Sequence, residues 1–211
     1  MPGPPEDLNE RLDAAAELRP MAGGGVERVL PLEAGAALAA EAGVTLLALE
    51  REALHAGAWP ERYLRNRGAF SSAEQARLLD ACAAVVGLGG LGGHVLDLLA
   101  RAGVGRLLAA DGDHFEPSNL NRQLLADQET LGRRKAEVAR EHAARVNPAV
   151  SVLAEPRFLD EAGMEALCRE AGVALDCLGG LEHRQALQRA AAAAGVPLVS
   201  GAMAGRSGWV A

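Results

Sequence analysis

Ala83-Ala84-Val85-Val86-Gly87-Leu88-Gly89-Gly90-Leu91-Gly92-Gly93 is the stretch on which the fold turns. Its small and branched apolar residues predict a short strand, Ala83–Gly87, buried on both faces. The glycine-rich turn then opens a helix, Gly90 to Ala102. Gly87, Gly89, Gly90 and Gly92 fit the pattern G-x-G-x-x-G in the context it requires, after a strand and before a helix. Glycines there permit a tight turn and a close backbone approach, and the helix N-terminus presents unpaired N–H groups to a phosphate. The competing reading is glycines that serve helix–strand packing alone.

Working outward, Ser71-Ser72-Ala73-Glu74 has the form of a capping box and predicts a helix to about Cys82. After the glycine turn, strands are expected at Arg106–Ala110, Val150–Ala154, Val173–Cys177 and Val196–Ser200. Helices are expected between them at about Leu131–Val146, Asp160–Ala171 and Glu182–Ala194. This alternation predicts a doubly wound, mostly parallel α/β sheet of Rossmann type over residues 61–211. Ser207–Ala211 reads as the first residues of another strand. Residues 1–60 read as a helical extension without chemistry. Its helical pieces are Leu8 to Leu18 and residues 31–56, the latter broken at Gly43, and residues 1–25 look loosely attached.

Composition narrows the function. The net charge of −7 gives no global basic field for nucleic acid, so a local cluster of cations points to a small anionic ligand. Cys82, Cys168 and Cys177 are too widely spaced for a self-contained four-thiolate zinc site, and they suggest no disulfide framework. No apolar run approaches the ~20 residues of a membrane span, and Met1–Asp7 lacks the pattern of a signal peptide. The expectation is a cytoplasmic protein with no membrane partner.

Asp111 closes the second strand, 19 residues after Gly92, where an acid takes ribose hydroxyls in dinucleotide folds. Alone it would favour an NAD(P)-dependent oxidoreductase. Asp113 is either a second contact or an acid that satisfies loop N–H groups. Asn119-Leu120-Asn121-Arg122-Gln123 separates the two classes, because amide donors and a guanidinium can hold oxygens of a triphosphate that an NAD pyrophosphate lacks. Lys135 is the only lysine against twenty arginines. A single lysine kept against that bias suggests a site that wants a compact ammonium; the alternative is a solvated side chain at a helix start. Arg133 and Arg134 read as solvated.

From Arg62 onward the chain resembles the ThiF/MoeB/HesA adenylyltransferases, bacterial relatives of ubiquitin-activating enzymes. The resemblance rests on Arg62-Tyr63-Leu64-Arg65, the Gly-Leu-Gly-Gly-Leu-Gly turn, Asp111-Gly112-Asp113, Ser118–Gln123, Leu131-Gly132-x-x-Lys135, Arg145-Val146-Asn147-Pro148, Leu175-Asp176-Cys177 and Val196–Gly201. It implies binding of ATP and magnesium, then adenylation of the C-terminal glycine of a small ubiquitin-like sulfur carrier. Some relatives instead activate a carboxylate on modified tRNA. Carried over, Gly89 faces the nucleotide, Asp111 takes the ribose, and Asn119, Arg122 and Lys135 hold phosphates. Arg65 reaches the phosphates of a neighbouring subunit, which implies a homodimer. Two departures accompany the resemblance. The family pattern Asp-Cys-Thr-Asp-Asn carries a second, magnesium-binding acid, expected here at Gly180, and the nearest substitutes are Asp176 and Glu182. The family's C-terminal part is also expected to be missing, so a catalytically impaired nucleotide- or partner-binding module is the remaining alternative.

Overall fold

The computed structural model describes residues 7–22 and 24–211. It divides into two compact units, one up to Asp80 and one from Ala81.

The first unit holds α1 (Leu8–Ala15), β1 (Glu17–Pro20), β2 (Val26–Leu30), α2 (Leu32–Ala42), α3 (Leu46–His55), β3 (Trp59–Pro60), a 3-10 stretch (Glu61–Gly68) and α4 (Ser72–Asp80). β1 and β2 form an antiparallel hairpin, and β2 continues in parallel pairing to β3. This small sheet replaces two expectations. The first helix ends at Ala15 rather than Leu18, because Glu17–Pro20 finds backbone partners in Val26–Val29. Nor is α1 loosely attached: Leu8 and Leu12 are buried with Leu30, Leu38 and Leu49. The break expected at Gly43 is real, with Gly43 capping α2 at φ +66 and Thr45 capping α3 by accepting from the Ala48 N–H. The capping box before α4 is also present: Ser71 Oγ accepts from the Glu74 N–H at 3.3 Å, and the Glu74 carboxylate accepts from the Ser71 N–H at 2.8 Å. Leu54, Trp59, Tyr63, Ala76 and Leu79 share one apolar cluster, so Glu61–Asp80 belongs with the first unit by packing, although the expected division fell at residue 60.

The second unit holds β4 (Cys82–Val86), α5 (Gly92–Ala102), β5 (Arg106–Ala110), α6 (Lys135–Val146), β6 (Ser151–Glu155), α7 (Glu161–Arg169), β7 (Val173–Asp176), α8 (Leu181–Ala194), β8 (Leu198–Ala204) and β9 (Ser207–Val210). Its six strands lie in the order β6-β5-β4-β7-β8-β9, parallel except for the last, which returns on β8 as a hairpin. This is the doubly wound sheet the sequence predicts. Alternation along the strands sends Ala84, Val86, Leu108, Ala110 and Ala174 to one face, where they pack on Met164, Leu167 and Cys168 of α7 and Leu187, Ala190 and Ala191 of α8. α5 and α6 contact β4, β5 and β6. With so few aromatics, helix and sheet come close over alanine and leucine, and small changes in side-chain volume should be felt.

α6 starts four residues later than expected. Phe115 N–H bonds to the Arg133 carbonyl, Gly132 N–H to the Phe115 carbonyl and Lys135 N–H to the Asp113 carbonyl, so the chain before α6 lies beside 113–115, with Arg134 extended and bridged to His114. Gly132, at φ +77, turns the chain into it.

Between α5 and α6, Asp97 accepts from Arg101 Nε at 2.9 Å and lies 2.8 Å from His142 Nε2. Burial opposes its charge, but the hydrogen bonds from Arg101 and His142 outweigh burial and hold the carboxyl below its ordinary value of 3.8. A carboxyl depressed in the folded state stabilises the fold above its unfolded pKa, and that contribution is lost as pH falls through the folded value. Asp97→Asn should therefore cost roughly 1 kcal/mol at neutral pH, with the gap to the parent closing below pH 3.8. Urea unfolding at several pH values checks this; a gap independent of pH would refute it.

Candidate nucleotide site

In a doubly wound sheet, ligands lie outside the carboxyl ends of the strands, where the strand order reverses. Here that is the crevice between β4, the first strand of the sheet, and β7. An open cleft of about 1560 Å³ lies there, lined by the Gly87–Leu91 turn after β4, Ala110–His114 after β5 and Cys177–Gly180 after β7.

The turn depends on absent side chains. Gly87 has φ +90, and a Cβ on it would lie 2.7 Å from the Cys177 carbonyl oxygen. A Cβ on Gly92 would lie 1.7 Å from the Gly87 carbonyl oxygen, so α5 begins in direct contact with the turn. Gly89 and Gly90 face Gln123 and Arg122, with 3.7 and 3.8 Å from a built Cβ to the nearest atoms. The turn is further held by Asp111, whose Oδ2 accepts from the Leu88 N–H at 2.7 Å and Oδ1 from the Asp113 N–H at 2.8 Å. The task of satisfying loop N–H groups, expected of Asp113 more than Asp111, thus falls to Asp111.

Asp113 instead pairs with Lys135. The Lys135 side chain is 8% exposed, and its Nζ donates to Asp113 Oδ2 at 3.1 Å. The solvated-lysine reading does not hold, because Lys135 is buried at the edge of the cleft as the first residue of α6. Asn119 is buried in a short 3-10 turn, where its Oδ1 accepts from the Glu116 N–H at 3.1 Å in a capping box and its Nδ2 donates to Ser118 Oγ at 3.4 Å. Arg122 is exposed, with Nη1 donating to the Ser118 carbonyl at 2.8 Å. Gln123 is 7% exposed, and its buried Oε1 has no hydrogen-bond partner among the described residues. An orphaned acceptor beside a glycine turn is what a ligand donor would complete.

Several lining residues escaped the sequence reading, Arg134 and Phe158 among them. Arg134, expected to be solvated, donates Nη1 to the Pro156 carbonyl at 2.8 Å and lines the cleft; Arg133 does remain outside, paired with Glu141. Phe158 is 74% exposed at the cleft wall, and a Cβ on Gly112 would touch its ring at 2.6 Å. Nothing in the local pattern distinguishes it from a loop phenylalanine.

The acids expected to hold magnesium are placed otherwise. Asp176 is 2% exposed; its Oδ1 accepts from the Leu178 N–H at 3.1 Å, and its Oδ2 accepts from Ser200 Oγ at 2.5 Å and is ion-paired with Arg184 Nη2 at 2.9 Å. Glu182 is exposed on the first turn of α8 and is not among the cleft residues. Laid against Asp-Cys-Thr-Asp-Asn, the second acid falls on Gly179, not Gly180; both are glycines, so the departure stands at the corrected position. Among the described residues no three His, Cys, Asp or Glu side chains group as a metal site. The donor set does not fit a protein-held magnesium.

Cys177 also lines the cleft, but burial, with the Asp176 carboxylate adding to it, pushes its thiol up to about 12. It is no thiolate at neutral pH. Arg65 lies in the first unit, exposed on the 3-10 stretch, with no ion-pair partner among the described residues.

The ThiF family matches residues 63–211. The chain is 42% identical over 128 residues to the molybdopterin-synthase adenylyltransferase of Escherichia coli (strain K12), covering 61% of this chain and 51% of that protein. It is 38% identical over 135 residues to the sulfur carrier protein ThiS adenylyltransferase of the same strain, covering 64% and 53%. The chain therefore spans about half the length of the curated relatives it matches. Among solved structures it superposes on the E. coli tRNA N6-threonylcarbamoyladenosine dehydratase TcdA in complex with ATP, with a TM-score of 0.67 and 26% identity, covering 71% of this chain and 62% of that one. The strand order, the glycine turn and these matches agree: the chain belongs to the ThiF family.

Proposed function

We propose that this chain is an ATP-dependent adenylyltransferase that activates the C-terminal glycine carboxylate of a ubiquitin-like sulfur-carrier protein. The observation that carries the reading is the single lysine, buried at the edge of the cleft that the glycine turn also lines. The likeness to the sulfur carrier protein ThiS adenylyltransferase supports the choice of substrate. The structural match to TcdA supports a second reading, a carboxylate on modified tRNA.

In this reading ATP lies with its phosphates along Gly87–Gly90 and its ribose toward Asp111, which still has lone pairs to offer after accepting two N–H bonds. Asn119 Nδ2, Arg122, Lys135 and Gln123 surround the phosphates. A carboxylate oxygen of the second substrate attacks the α-phosphorus; the bond to the β-bridging oxygen breaks, and pyrophosphate leaves with that electron pair. The attacking group is already an anion, so no base is required, and with its high pKa Cys177 offers no nucleophile. The side chains contribute position and charge stabilisation. Arg65 serves the phosphates of a neighbouring subunit, making the working form a homodimer, and the setting is the cytoplasm.

ATP–pyrophosphate exchange with carriers ending in Gly-Gly, and in parallel with modified tRNA, tests the activity. Exchange only with a carrier supports the first substrate, and exchange only with tRNA selects the second. ATP should also raise the melting temperature more than NAD or NADP at equal concentration, since only a ligand of the folded state stabilises it. Equal stabilisation by NAD would overturn the nucleotide assignment, and ATP binding without any exchange would leave a nucleotide-binding module.

A further inference from the structure

Every carboxylate lining the cleft is already engaged. Asp111 holds two backbone N–H groups, Asp113 holds Lys135, and the Glu116 side chain caps the turn at Asn119. Asp176, behind the wall, has both oxygens occupied and a guanidinium 2.9 Å away, which would repel a second cation placed there. Opposite, the wall is Gly179 and Gly180, which offer no side chain. The cleft is at the same time rich in cations: Arg122, Arg134, Lys135 and Arg184 all line it. A magnesium ion carried by a triphosphate is normally met by one or two protein carboxylates; here each lining carboxylate is shared with a protein donor, and the wall position where the resemblance expects a metal-binding acid is glycine.

We propose that the cleft takes the uncomplexed nucleotide tetraanion rather than its magnesium complex, with the protein's own cations supplying the charge that a carboxylate-held metal would otherwise bring. This rests on the nucleotide reading above. Its consequence is an inverted metal dependence of binding. Magnesium neutralises part of the phosphate charge on which Lys135 and the arginines act, and it finds no compensating ligand, so it weakens the complex.

Calorimetric titration of the full chain with ATP, in EDTA and then with saturating magnesium chloride, reads this directly. Binding should be roughly threefold or more tighter in EDTA. Gly179→Asp restores an acid to the wall. A Cβ there meets nothing within 4 Å, and Gly179 lies outside the positive-φ set, so this variant should fold; its melting temperature checks that. It should reverse the order, with binding tighter in magnesium. Magnesium tightening the parent's binding threefold, or Gly179→Asp keeping the parent's preference, overturns the metal inference while leaving the nucleotide site in place. Absence of ATP binding in both buffers overturns the nucleotide reading and this inference together.

Discussion

Gly92→Ala should cost the second unit about 3 kcal/mol or more, a fall in melting temperature of roughly 10 °C, and should abolish ATP binding. The added methyl would sit 1.7 Å from the Gly87 carbonyl oxygen and 3.1 Å from Cys177 Cβ. The first of these is backbone, so no rotamer change relieves it: either α5 moves off the sheet or the turn that faces the cleft opens. Alanine is the better helix former by about 1 kcal/mol, which makes the direction of the effect diagnostic. Gly90→Ala is the control. Its Cβ would find Arg122 at an ordinary 3.8 Å, so its melting temperature should stay within ~2 °C of the parent. Scanning calorimetry with ATP titration decides the matter, and a Gly92→Ala protein that melts like the parent would refute the close approach of helix and turn.

Replacement of Lys135 should have the largest effect on chemistry. Lys135→Met should lower adenylate formation about a hundredfold, the ~2.7 kcal/mol expected when a positioned donor to developing phosphate charge is lost. The fold should tolerate it, because Asp113, the partner left behind, is 55% exposed and remains hydrated. Lys135→Arg keeps the charge but brings a wider, planar head into a site where the lysine is 8% exposed. Weaker ATP binding by about tenfold is expected. Unchanged affinity in the arginine variant would remove Lys135 from the phosphate site.

The sheet of the second unit was legible because its strands are continuous apolar runs punctuated by glycine and separated by helices of ordinary length. Such patterns reflect burial on both faces and survive without any knowledge of neighbours. The small sheet of the first unit was not legible. Glu17–Pro20 is four residues long, with Leu18 72% exposed, and Trp59–Pro60 is only two residues long. Neither carries an inward face long enough to register as a period; partners created them. The start of α6 was misjudged for the same reason, since the residues before Lys135 are held out of the helix by pairing with 113–115.

At the site, residue types and order identified Gly87, Gly89, Asp111, Asn119, Arg122, Gln123 and Lys135, all of which line one cleft. Chemistry that depends on being a glycine, an amide or the sole ammonium is written in the residue itself. What each group has left to offer was decided by the fold. Asp176 looked available for a metal until Arg184, eight residues on, and Ser200, twenty-four on, closed around it. Asp111 became the clasp of the glycine turn, and Arg134 and Phe158 joined the wall through loops that local pattern cannot relate. A sequence records which donors and acceptors a chain owns. Whether one is free or already paired depends on contacts between residues far apart along the chain, and in this protein those contacts turn two candidate metal ligands into a buried ion pair and an exposed surface acid.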